Sequence, residues 1–194
     1  IHERLVGSEM CIRDRLISYH RHNEENKTED ILNKIEEGKN IALISDAGTP
    51  VISDPGEFIV KEAIEREIEV IPIPGACAII TALMAAGVNT RNFTFYGFLS
   101  LNKKIRTKEL EQIKDNNNTV ILYEAPHKIK NTMQDLENYV DDRKIVIARE
   151  LTKIHEEFIR GTIDEIKDKL QNPKGEYVIC LLYTSPSPRD AHES

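Results

Sequence analysis

The chain has 194 residues, 30% of them charged and 40% hydrophobic, with a formal net charge of −7. That length can bury one large or two small cores, and no apolar stretch approaches the ~20 residues of a membrane span. The acidic balance excludes a protein living by non-specific nucleic-acid binding, which is usually basic overall, so any RNA must be met by a local patch on a chain of ordinary cytoplasmic composition.

Taken in order, residues 1–15 show no helical or strand period. Residues 16–20 read as a short strand. His20 and His22 lie at metal-ligand spacing, but no third ligand is near and a polar strand end is the expected role, so no metal is expected. Thr28 is the expected cap of a helix carrying Ile31, Leu32 and Ile35, with Gly38 ending it. Residues 41–44 form a continuous, β-branched apolar run bounded by breakers, the pattern of a buried strand. It stops at Ser45-Asp46-Ala47-Gly48-Thr49-Pro50, and a second turn signal, Asp54-Pro55-Gly56, follows. Ligands of open α/β sheets bind beyond the carboxyl ends of strands, which makes 46–50 the first candidate site. Asp46 suits a ligand contact or a loop cap, and Asp54 suits turn chemistry.

Pro55 opens a helix with Phe58, Ile59, Ala63 and Ile64 facing inward. A strand at 68–73 then leads to Pro74-Gly75 and an apolar helix at 76–86, where Met84 is expected in the core. This second strand end repeats the layout of the first. The chain holds no G-x-G-x-x-G and no G-x-x-x-x-G-K-[ST], so the ordinary dinucleotide and P-loop readings lose their main support. Cys11, Cys77 and Cys180 include no CxxC pair, so neither a disulfide framework nor a zinc site is expected.

Residues 87–92 read as a linker, dividing an N-terminal α/β domain at 16–90 from a C-terminal one at 91–182. Alternating strands and helices mark α/β architecture. In the second half, strands are expected at 93–97, 119–123, 144–148, 156–160 and 177–182, closing a mixed sheet. Helices are expected through Ile113, at 126–140, and after a cap at Thr162. The segment 100–108 packs Lys103, Lys104, Arg106 and Lys108 closely, either as a mobile arm meeting phosphate or as a solvated loop and helix start. The polar, Pro/Ser-rich stretch 183–194 matches neither half. With 1–15, it reads more readily as translated sequencing-adapter read-through than as a natural disordered terminus.

SDAGTPVISDPG followed by PIPGACAIITAL, then FYGFL, LYEAPHK, ARELTK and KGEYV, resembles the tetrapyrrole-methylase family of S-adenosylmethionine-dependent methyltransferases. The blocks agree in order and spacing from about Leu16 to Cys180. The resemblance implies two α/β domains with the cofactor cleft between them. It also implies that the first domain is incomplete, because the family's first strand, its Pro-Thr-Pro-Ile-Gly-Asn loop and its Glu-Asp-Thr-Arg motif have no counterpart here. Ala47, Gly48, Thr49, Ile52, Cys77, Ala78, Tyr123 and Glu124 are the cofactor-lining residues it implies. The likeness is greatest to members that methylate a cytidine 2′-hydroxyl in small-subunit ribosomal RNA, and it implies a homodimer for the intact protein. A relative acting on a corrin or sirohaem precursor, and a fragment without catalysis, are the alternatives.

A ribose hydroxyl needs a base or a cation near its departing proton. Glu124, Glu150 and Lys153 are the catalytic candidates, with His127 and Arg149 in the same two blocks. Lys103, Lys104, Arg106 and Lys108 are the RNA-binding candidates.

Overall fold

The structure, a computed structural model, describes residues 16–140, 143–170 and 173–183. Cys11 and the expected non-native tails, apart from Tyr183, lie outside those residues. The described chain divides into two compact units between Gly75 and Ala76, not at the 87–92 segment where a linker was expected.

The first unit is built on two helices, α1 (Glu24–Glu36) and α2 (Glu57–Glu65). Helix α1 begins earlier than expected. The Asn23 side chain accepts from His20 N at 2.8 Å and donates to Ser18 O at 3.0 Å, closing a turn just before the helix. Thr28 is therefore not a cap. It is buried within α1, with its hydroxyl 2.9 Å from that of Tyr19. Ile31, Leu32, Ile59 and Ala63 form the unit's core. Ile64 departs from expectation at 63% exposed, because it follows Ala63 around the helix and turns away from the core face.

The strands expected at 16–20, 41–44 and 68–73 carry no ladder of strand hydrogen bonds. Leu16, Ile41, Ile44, Val70, Ile71 and Ile73 are all exposed, Ile44 by 68%. An apolar, β-branched run becomes a strand only where neighbours supply backbone partners and both faces are covered. Those partners are absent from the first unit among the described residues.

The second unit holds a five-stranded sheet. Its strands are β1 (Phe93–Gly97), β2 (Thr119–Glu124), β3 (Lys144–Arg149), β4 (Glu157–Thr162) and β5 (Tyr177–Leu181), in spatial order β1-β2-β5-β3-β4. β1 and β2 are parallel and the other neighbours antiparallel, so the expected mixed sheet is present. β5 is central and buried along its whole length.

Period-two alternation divides the side chains between two layers. Val120, Leu122, Ile145, Ile147, Ile179 and Leu181 pack with helices α4 (Lys103–Lys114), α5 (Ile129–Val140) and α6 (Ile163–Lys167). Ile121, Val146, Ala148, Val178 and Cys180 pack on the other face with α3 (Ala78–Ala86). Thr162 caps α6 as expected, in a reciprocal capping box with Glu165. α3 buries Ile79, Ala82, Leu83 and Ala86 against this sheet, so it belongs to the second unit, not to the N-terminal domain. It is buried on one face alone. Met84, expected in the core, is 81% exposed.

Candidate functional site

The first candidate loop, 45–56, is irregular and strained. Ser45 Oγ donates to Gly48 O at 3.2 Å, folding the loop back on itself. Gly48 takes a φ of 79°, which glycine adopts freely. Val51 and Ser53 take φ of 76° and 63°, and a positive φ is an outlier for a β-branched valine. Gly75, which closes the same unit, has a missing Cβ position 3.7 Å from Thr49 Oγ1. The loop thus offers small residues and close-lying backbone at Ala47, Gly48 and Thr49. Ile52 beside them is 45% exposed.

In the second unit the sheet brings together three candidates that are far apart in sequence. Cys77, Ala78 and Tyr123 all pack, partly buried, at the margin of the α3-facing layer, with Phe95 and Leu151. Cys77 is the N-cap residue of α3 and its carbonyl accepts from Thr81 Oγ1 at 2.9 Å.

Glu124 follows Tyr123 in β2 and so faces the opposite layer. It is 4% exposed. One carboxylate oxygen accepts from Ala125 N at 2.8 Å, the other from the Thr132 hydroxyl on α5. Thr132 in turn accepts from Arg106 Nη2 at 2.9 Å, and Arg106 Nε donates to Asp135 at 2.7 Å. The network ties α4, α5 and the end of β2 together. Both oxygens of Glu124 are thereby engaged within the protein. Arg106 stands apart from its lysine neighbours, since its guanidinium is committed to α5. Lys103, Lys104 and Lys108 are exposed and make no ion pair among the described residues. Their segment is an ordered helix start and not a loose arm. Asn102 Oδ1 caps α4, accepting from Lys104 N at 3.0 Å.

The β3–β4 turn holds the other two catalytic candidates. Glu150 and Thr152 sit at φ of 50° and 66°, a cost of order 1 kcal/mol or more each that surrounding contacts must offset. Glu150 Oε1 accepts from Lys153 Nζ at 2.9 Å and from Glu176 N at 3.0 Å. Lys153 also reaches Glu176 Oε2 at 3.1 Å. The Lys153 ammonium, then the Glu176 amide, hold the Glu150 carboxyl below its usual range. Glu150, then Glu176, raise the Lys153 ammonium above its own. Near neutral pH this pair is a carboxylate and an ammonium, suited to electrostatic work and unsuited to proton abstraction by lysine. Arg149 faces Glu157 across the strand pair, Nη1 to Oε2 3.2 Å, while its Nε is buried without a partner among the described residues. His127 is exposed in the turn before α5.

Cys180 sits in the central strand, where burial pushes its thiol up to about 12 and leaves it inert. No group of three or more potential metal ligands occurs among the described residues, and no described helix is long and apolar enough to cross a membrane. Sequence reasoning passed over Thr132, Gly175 and Phe98. Thr132 carries no motif signal, but Gly175 stands inside KGEYV and Phe98 inside FYGFL.

A family profile for tetrapyrrole (corrin/porphyrin) methylases matches residues 8–167. The chain belongs to this family. Among relatives of this tetrapyrrole methylase, the Ribosomal RNA small subunit methyltransferase I of Bacillus subtilis (strain 168) is 50% identical over 187 residues, covering 94% of this chain and 62% of the relative. Its namesake from Synechocystis sp. is 48% identical over 177 residues, covering 90% and 63%. The chain therefore spans less than two thirds of the length of these relatives.

Solved structures agree on the fold at low identity. Diphthine synthase superposes with a TM-score of 0.69 at 17% identity, over 95% of this chain and 77% of its own. A uroporphyrin-III C-methyl transferase from Thermus thermophilus, solved with S-adenyl homocysteine, gives 0.58 at 10% identity, over 82% and 73%. The α/β tetrapyrrole-methylase fold is thus common to chains of widely divergent sequence.

Proposed function

We propose that this protein is an S-adenosylmethionine-dependent methyltransferase acting on the ribose 2′-hydroxyl of a cytidine in small-subunit ribosomal RNA. The observation that carries the reading is the match, at about half identity and over nine tenths of the chain, to relatives named as small-subunit ribosomal RNA methyltransferases. A cytoplasmic location and a homodimeric intact protein belong to the same reading.

The residues present fit the cofactor. Ala47, Gly48 and Thr49 present small side chains and looping backbone, and Gly75 leaves space beside Thr49 that a side chain would narrow. Cys77, Ala78 and Tyr123 supply a small, partly apolar surface on the second unit. Within the first unit, Ala47, Gly48, Thr49 and Ile52 offer the cofactor backbone hydrogen bonds and van der Waals contact, and within the second Cys77, Ala78 and Tyr123 offer it van der Waals contact. S-adenosylmethionine, when bound, supplies an already activated methyl group, so holding the acceptor in line provides much of the rate.

The three catalytic candidates divide by role. Lys153, kept protonated by Glu150 and Glu176, is the cation that stabilises negative charge developing on the acceptor oxygen or on an adjacent phosphate. Glu150 positions Lys153. Glu124, with both oxygens engaged, secures the loop that follows Tyr123. Lys103, Lys104 and Lys108 meet the RNA backbone.

Calorimetric titration with S-adenosylhomocysteine, followed by incubation with small ribosomal subunits and nucleoside mass spectrometry, tests the reading. Saturable one-site binding and the appearance of 2′-O-methylcytidine are expected. A folded chain that fails to bind S-adenosylhomocysteine would overturn the cofactor assignment. Methylation of a tetrapyrrole and not of RNA would replace the substrate.

A further inference from the structure

We propose that Phe98, backed by Tyr123, is a stacking platform for an unpaired base of the RNA substrate, with Lys103 and Lys104 meeting the phosphates beside it. The proposal rests on the RNA reading above and names the surface that reads the strand.

Phe98 is 53% exposed, although Gly97 before it and Leu99 after it are both buried. The chain is thus pinned on either side of the ring. Gly97 takes a φ of 69°, the conformation that turns the chain outward at the end of β1. The Phe98 ring stands edge-to-face with Tyr123, centroids 5.7 Å apart. Tyr123 makes a second such contact, at 4.9 Å, with Phe95. An aromatic triad results, anchored in the sheet at Phe95 and ending in a half-exposed ring. Such a geometry is worth about 0.5–1.5 kcal/mol per pair beyond area burial. It therefore holds the exposed ring in place, as a preformed stacking surface requires.

The chain after the ring is equally fixed. Ser100 N donates to Glu109 Oε2 at 2.8 Å, and Asn102 caps α4. Lys103 and Lys104 follow, both exposed and without ion pairs among the described residues. Lys103 lies five positions after Phe98, a span of at most about 18 Å, within reach of a few nucleotides. Leu101 and Ile105 are exposed in the same stretch and add apolar surface. On a chain of net charge −7, a free aromatic face beside unneutralised ammonium groups matches single-stranded RNA, whose bases stack and whose phosphates need cations.

The test is fluorescence titration of a short single-stranded RNA bearing one 2-aminopurine with the full chain and with Phe98→Ala and Phe98→Trp. Circular dichroism checks the fold, and sedimentation the oligomeric state. The wild type is expected to bind and quench the probe. Phe98→Ala should weaken binding about five- to a hundred-fold, the range of a lost base stack, and Phe98→Trp should retain it. Lys103→Ala with Lys104→Ala should flatten the slope of log affinity against log salt by about 0.7 per lysine. If the wild type binds RNA and Phe98→Ala binds equally well, the platform is overturned while the RNA reading stands. If the wild type binds no RNA, both fall. A change in self-association with unaltered RNA affinity would make Phe98 a protein contact and overturn the platform.

Discussion

Gly175 shows how one missing atom sets up the β3–β4 turn. Its φ is +82°, and a Cβ built there would overlap Cγ, Cδ and Oε1 of Glu150. Gly175→Ala should therefore cost about 1–2 kcal/mol for the left-handed alanine. It should also push Glu150 away from Lys153 and the Glu176 amide. By NMR, the Glu150 carboxyl should titrate closer to its ordinary 4.5 in the variant than in the wild type. An unchanged titration would show that Gly175 does not govern the turn. The pH dependence follows from the signs of the shifts. Glu150 is depressed, so its stabilisation is complete above 4.5 and is lost as pH falls through its lower folded value. Lys153 is raised, so its contribution is complete below 10.5 and is lost as pH rises through its higher folded value. Between those limits the pair should contribute uniformly.

At the scale of elements, the contrast lies between apolar runs that became strands and those that did not. β5 pairs with β2 on one side and β3 on the other, and Ile179 is fully buried. The run at 41–44 has similar composition but no ladder, with Ile44 68% exposed. Ile179→Ala should then cost about 2–5 kcal/mol, whereas Ile44→Ala should stay within about 0.5 kcal/mol. Urea denaturation midpoints compare them directly, and a comparably large loss at Ile44 would show that 41–44 is a buried strand in solution.

For the whole molecule, the two units differ in how much core they own. The second surrounds its sheet with helical layers on both faces. The first buries Ile31, Leu32, Ile59 and Ala63, with a few partly buried neighbours. Local stability follows buried apolar contact, so limited proteolysis should cut first within residues 16–75. A resistant product beginning near Ala76 is the expected result. Simultaneous loss of both units would mean that they unfold as one cooperative body.

The sequence by itself determined what is local in origin. All five strands of the second unit were legible from their β-branched and aromatic composition, and Thr162 was legible as a cap because its partner Glu165 lies three residues on. The blocks around Gly48, Cys77, Gly97, Tyr123, Glu150 and Gly175 together, in order and spacing, pointed to the family. Tertiary structure decided what depends on distant partners. Arg106 looked like its lysine neighbours until Asp135, 29 residues away, claimed it. Glu124 looked like a free carboxylate until Thr132 and Ala125 N occupied both oxygens. Met84 read as core, yet α3 meets the sheet with one face. The three apolar runs of the first unit read as strands, yet a strand needs neighbours to pair with its backbone. Composition and spacing encode a segment's preference, whereas burial and hydrogen-bond partnership are settled by what lies across from it in space.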